Sequence, residues 1–149
     1  MTERHRRSIE EIEDRTDQIL TAAEADLAPR APALADELLA MGEDVLLAWL
    51  AAKGQTPTTG TVEGFRLLAL HRQAARGNPS FNACRETCRE IAYHYNLLIF
   101  QPDHEQAGAR ARMMAMLANH LYLFVAGKLQ VDGLGEFCCA SRPLRSQAG

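Results

Sequence analysis

Apolar residues recur at helical spacing along most of the chain. Ile9, Ile12, Ile19, Leu20, Ala23 and Leu27 share one stripe, and Ser8-Ile-Glu-Glu11 fits a capping box, so a first helix is predicted from Ser8. Pro29 and Pro32 break that run. Leu34, Leu38, Met41, Val45, Ala48, Trp49 and Ala52 then form a second stripe, which Gly54 ends. The stretch from 55 to 60, rich in Thr, Pro and Gly, reads as a loop. Thr61 is placed to cap a third helix reaching about Arg76, with Phe65, Leu67, Leu68 and Leu70 apolar and Gly77 at its end. Asn78-Pro79 offers a cap and then proline at the first position of a fourth helix. Pro102-Asp103 separates that helix from a fifth, from about 104 to 128. No run alternates as a strand does. The predicted fold is all-α, a single-domain bundle of about five helices spanning 1–149, with flexible ends at 1–7 and 142–149.

The fifth helix changes the picture. From Met113 to Ala126 it is apolar around most of its circumference, interrupted by Asn119 and His120. Such a helix is covered by the rest of its domain or by another copy of itself. Helices one and two bring only single stripes, so a homodimer through Met113, Met116, His120 and Phe124 is expected. Asn119 and His120 would fix the register of that pairing.

A chain of 149 residues is one domain by length and buries enough surface to need no disulfide or metal for its core. Fourteen arginines stand against two lysines, Lys53 and Lys128, a bias that with the many alanines fits a GC-rich bacterial genome. The net charge of −3 divides unevenly: residues 1–52 carry −7 and residues 53–149 carry +4. Pairing of the acidic helices with the basic ones, or simple solvation, is the plain reading of that split. With a pI near 5.9 and no dense basic patch, nucleic acid is not the expected partner. The charged start shows no secretory h-region, and the longest apolar run falls short of a bilayer span. A cytoplasmic protein with reduced thiols is expected.

Candidate chemistry concentrates on the fourth helix. Cys84 and Cys88 are one turn apart, a spacing that is too wide for a disulfide in a regular helix yet allows both sulfurs to meet one soft metal ion. Phe81, Cys84, Cys88, Ile91, Tyr95 and Leu98 also follow helical spacing, so core packing is the plainer reading of both thiols. Cys138 and Cys139 could complete four sulfurs around zinc, although the spacing matches no zinc motif. Glu86, Glu90 and His94 form a second row. Di-iron bundles use Glu-x-x-His, which this chain lacks. Zinc or iron held by Cys84 and Cys88, with His94 or with Cys138 and Cys139, is therefore the alternative to a protein with no cofactor. His71 and His120 are read as core histidines bonded to a carbonyl or a tyrosine.

Arg72, Arg76, Arg85 and Arg89 flank the turn between helices three and four and could hold a phosphate or carboxylate. No nucleophile–base motif or phosphate loop occurs. The expected function is that of an interaction or regulatory protein, homodimeric, binding a protein partner or a small anionic ligand. A metal or redox protein is the alternative. A small enzyme with a pocket between helices three and four, lined by His71, Glu90 and His94, ranks below it.

Overall fold

The computed structural model describes residues 5–133; within them, helices account for nearly all of the ordered structure and no strand is formed. The chain runs through α1 (Ile9–Thr21), the one-turn α2 (Glu24–Leu27), α3 (Ala31–Ala52), α4 (Arg66–Gly77), α5 (Arg85–Phe100) and α6 (Ala107–Val131). Short 3-10 segments, Ala28–Arg30 and Pro79–Cys84, lead into α3 and α5. No helix among the described residues is long and apolar enough to cross a membrane.

The start of α1 follows from local chemistry. The Ser8 hydroxyl accepts from the Glu11 amide at 3.2 Å and the Glu11 carboxylate accepts from the Ser8 amide at 2.7 Å, which satisfies two amides that a helix start leaves orphaned. Just before it, Arg7 is pinned: its amide donates to Asp44 at 2.9 Å and its guanidinium to Glu37 at 2.9 Å. Arg7, expected in a flexible start, is thus held by two contacts, while 1–4 and 142–149 lie outside the described residues.

The first stripe does not run unbroken to Leu27. Ala22 is extended and closes α1, and the chain re-enters a helix at Glu24. A contact from far along the sequence spans this break. Arg112 of α6 donates to the Ala22 carbonyl and, at 3.0 Å, to the Glu24 carboxylate, so the break is held by a side chain ninety positions away. Close packing helps: a Cβ on Gly108 would fall onto the Glu24 backbone, so α6 touches α2 only because that position is glycine.

α6 is the central helix, packed against α1, α2, α3 and α5. Ala111, Met114, Ala115, Ala118, Leu121, Val125 and Leu129 are buried on its inner side. Trp49 from α3 lies 4.8 Å from Phe81 between ring centroids, and Phe124 from α6 meets Phe81 edge-on at 5.3 Å. These three rings join α3, α6 and the segment before α5. Phe124, expected at a dimer seam, is therefore turned partly inward. Its neighbours Met113, Met116 and Leu123 face out, 44%, 50% and 56% exposed, and His120 is exposed beside them. His120 is thus a surface residue rather than a core histidine.

Two further boundaries differ from expectation. α4 begins at Arg66 rather than near Thr61, because residues 62–65 make a tight turn: Val62 and Phe65 exchange both backbone hydrogen bonds, at 3.0 and 2.9 Å. Glu63 and Gly64 between them both take positive φ, 54° and 85°, as a two-residue hairpin turn of the primed type requires. α5 begins at Arg85 because Asn78 caps the 3-10 segment that Pro79 opens, its side chain accepting from the Ser80 amide at 3.2 Å. Cys84 therefore stands at the junction in front of α5, not inside it.

Candidate functional site: an arginine-lined cleft over a thiol–imidazole cluster

α4, the 3-10 segment, the first turns of α5 and the Val62–Phe65 turn converge on one cleft of about 190 Å³. Val62, Leu68, His71, Arg72, Ala75, Asn82, Arg85 and Arg89 line it. Helical spacing brings these groups together: His71 and Arg72 sit one turn below Leu68 on α4, while Arg85 and Arg89 are a turn apart on α5. Three of the four arginines expected to hold an anion thus share a single cleft. The fourth, Arg76, lies with Arg72 on an adjoining hollow of about 280 Å³ over the 56–62 loop. That loop is strapped to α4 by Gln73, which accepts from the Thr58 amide and donates to the Thr56 carbonyl, each at 2.9 Å.

The arginines are not equivalent. Arg89 is engaged by Glu63, Nη1 to Oε2 at 3.1 Å, with both side chains exposed. Arg72 and Arg85 have no carboxylate partner among the described residues. On the other side of Arg89 opens a hollow of about 320 Å³ that carries Glu63, Glu86 and Glu90. Arg89 therefore marks a boundary between a cationic cleft and an acidic one. The charge asymmetry of the halves is only partly met by pairing across them. Arg112 crosses to Glu24, but Arg7 and Arg15 both bind Glu37 inside the acidic half.

Beneath the cleft lies the thiol cluster. His71 Nε2 is 2.7 Å from the Phe81 carbonyl. A carbonyl only accepts, so Nε2 carries a proton. The Cys84 thiol donates to the same carbonyl at 3.3 Å, which brings sulfur and imidazole against one atom. Cys84 and Cys88 are both free and buried. Hydrogen bonding from the Cys88 thiol draws the Cys84 thiol down to about 6; burial opposes this and His71 adds to it. Cys88 is pushed up, because it serves as that donor and is itself buried. His71 is raised: burial works against its charge, but the hydrogen bonds to Cys84 and to the Phe81 carbonyl outweigh it.

The core stripe expected for this segment is largely present, with Phe81, Cys84, Cys88, Ile91 and Leu98 buried. Tyr95 sits at its edge and donates to Asp36 at 2.9 Å. His94 does not join the cysteines. It is held on another face of α5 by the Glu90 carbonyl at 2.8 Å and stacks edge-on against Tyr93. No group of three His, Cys, Asp or Glu side chains among the described residues is arranged to hold a metal ion. Cys138 and Cys139 lie outside the described residues. The pocket imagined for His71, Glu90 and His94 divides, with His71 on the cationic cleft and Glu90 on the acidic hollow.

Sequence reasoning missed Val62 and Asn82 as lining residues. The Glu63-Gly64 turn was the available signal for Val62, since a Gly after a polar residue is a common hairpin turn. Comparison with protein-family models, with curated proteins and with solved structures gives no match for this chain.

Proposed function

We propose that this protein is a helical-bundle binding module whose cleft between α4 and α5 takes a small anionic ligand, a phosphate- or carboxylate-bearing molecule. One observation carries the reading: Arg72 and Arg85 line the same cleft as His71, and neither has a carboxylate partner among the described residues. Guanidinium groups offer planar forks of donors that match phosphate and carboxylate oxygens. Asn82 adds a neutral polar group, and the raised His71 can contribute positive charge. The volume of about 190 Å³ is below the usual range for drug-sized ligands, so a compact anion is the fitting occupant. Titrating the full-length protein with inorganic phosphate while recording backbone amide shifts tests this. Saturable shifts focused on Val62, His71, Asn82 and Arg85 are expected. Shifts absent there, or spread evenly over the surface, would overturn the reading.

A second reading concerns assembly. Met113, Met116, His120 and Leu123 make an outward row on α6, and large apolar groups in a row favour self-pairing by a two-fold axis. Under this reading native mass spectrometry gives a dimer that Met116→Asp with Leu123→Asp converts to monomer. An unchanged mass for the double variant would remove that interface. The free thiols Cys84 and Cys88 fit a reducing compartment such as the cytoplasm.

A further inference from the structure

The buried thiol cluster has a feature that packing does not require. Cys84 meets two other groups able to exchange protons, His71 and Cys88, and all three side chains are buried. A cysteine serving only as a small hydrophobe needs no imidazole. Cys84 also lies at the junction where the 3-10 segment Pro79–Cys84 becomes α5, with φ −106° and ψ 14°, and so at the positive end of a sixteen-residue helix. His71, 6% exposed, connects the cluster to the cleft above.

We propose that Cys84 is a peroxide-reactive thiol, activated by His71 and resolved by Cys88. The Cys84 sulfur, as thiolate, attacks one oxygen of hydrogen peroxide; the S–O bond forms as the O–O bond breaks. The departing hydroxide takes a proton from the His71 imidazolium and leaves as water. Sulfur is oxidised by two electrons to the sulfenic acid, and the peroxide is reduced by two. The Cys88 thiol then displaces the sulfenic oxygen as a second water, leaving a Cys84–Cys88 disulfide, which an external dithiol returns to two thiols. The ionisable groups that bear on Cys84 are His71 from α4 and Cys88 from α5, with Arg85 acting on His71. Phe81 from the 3-10 segment contributes its carbonyl, and α3 and α6 bring the apolar rings of Trp49 and Phe124 onto Phe81.

Helical geometry raises one demand. Side chains four apart on a regular helix hold their Cβ atoms about 5–6 Å apart, and a disulfide needs about 3.5–4.5 Å. Closure therefore requires the start of α5 to shift, and Cys84, already outside regular helical geometry, is where that shift falls. Asn82 and Arg85 flank Cys84 and both line the cleft, so oxidation would reshape the cleft walls. The proposal does not depend on anion binding, which is measured separately on the reduced protein.

The test exposes reduced, folded full-length protein to hydrogen peroxide and then digests it with trypsin after alkylating the remaining thiols. Cleavage after Arg85 separates the two cysteines, so the disulfide joins the peptide ending at Arg85 to the one ending at Arg89. That linked pair is the expected product. In Cys88→Ser, a dimedone adduct on Cys84 is expected instead. His71→Gln keeps a donor for the Phe81 carbonyl but removes the imidazole. This variant leaves the Cys88 hydrogen bond to Cys84 in place but removes the acid that protonates the departing hydroxide, so it is expected to slow Cys84 by roughly tenfold or more. Modification of Cys84 only after denaturation would overturn the proposal, as would oxidation confined to Cys138 and Cys139. An unaltered rate in a folded His71→Gln protein would overturn the role of the imidazole.

Discussion

The inequality of the cleft arginines gives the sharpest quantitative prediction. Among the described residues Arg85 faces the cleft without a carboxylate partner, whereas Arg89 is already paired with Glu63 at 3.1 Å. A hydrogen bond to a charged group contributes about 1.5–3 kcal/mol where both partners are dry, and this open cleft stands toward the lower end of that range. Arg85→Gln should therefore weaken inorganic phosphate binding by about tenfold, close to 1.4 kcal/mol. Arg89→Gln should cost less, about threefold, because an anion must compete with Glu63 for that guanidinium. Glu63→Gln acts in the opposite direction. A unit charge about 6 Å from another in water-like surroundings repels it by roughly 0.7 kcal/mol, so removing the carboxylate should tighten phosphate by about threefold. The variant should barely alter folding, since an exposed ion pair contributes only about 0–1 kcal/mol. Isothermal titration with inorganic phosphate at low salt reads all three values. Repeating it near physiological ionic strength, where the screening length is about 8 Å, should narrow the Glu63 effect more than the Arg85 effect. A Kd unchanged by Arg85→Gln, or weakened by Glu63→Gln, would refute the reasoning.

Other consequences follow from particular contacts. Arg112→Ala removes the side chain that holds the Ala22 carbonyl and Glu24, and should destabilise the fold by about 1–2 kcal/mol. In a thermal melt that corresponds to a fall of about 2–4 °C per kcal/mol for a chain of this size; an unchanged Tm would mean that the α1–α2 break stands without it. His71 is raised in the folded state, so its contribution is fully present below its ordinary 6.5 and is lost as pH rises through the folded value. The Tm difference between the native protein and His71→Gln should accordingly be larger on the acid side of that window than on the alkaline side. A difference that grows with pH would contradict the sign.

Features set by neighbouring residues were legible in the chain. The Ser8–Glu11 capping box needs only four residues, and the stripe of Phe81, Cys84, Cys88, Ile91 and Leu98 needs only one helix period. The proline and glycine punctuation likewise marked where α3 ends and where α5 and α6 separate. Features set by distant contacts were not legible. The end of α1 depends on Arg112, and no local signal at Ala22 announces it. The sequence leaves the partner of His71 open between a carbonyl and a tyrosine; that it is the Phe81 carbonyl, with Cys84 against the same atom, depends on how the 3-10 segment folds over α4. The arginine group was half legible for the same reason. Spacing placed Arg72, Arg85 and Arg89 near one turn, while the path of the 56–62 loop drew Arg76 toward a separate hollow. His120 illustrates the opposite error. An apolar sequence surrounds it, yet its face of α6 is the one that the other helices leave uncovered.

The central claim, that Arg72 and Arg85 in the cleft between α4 and α5 hold a small anion, is tested most directly by thermal stability as a function of inorganic phosphate. A ligand bound only by the folded state at a hundredfold excess over its Kd stabilises by about 2.7 kcal/mol. The native protein should therefore gain Tm steadily as phosphate rises at constant ionic strength. Arg72→Gln with Arg85→Gln, folded equally well without phosphate, should gain none. Equal stabilisation of the double variant and the native protein would contradict the account.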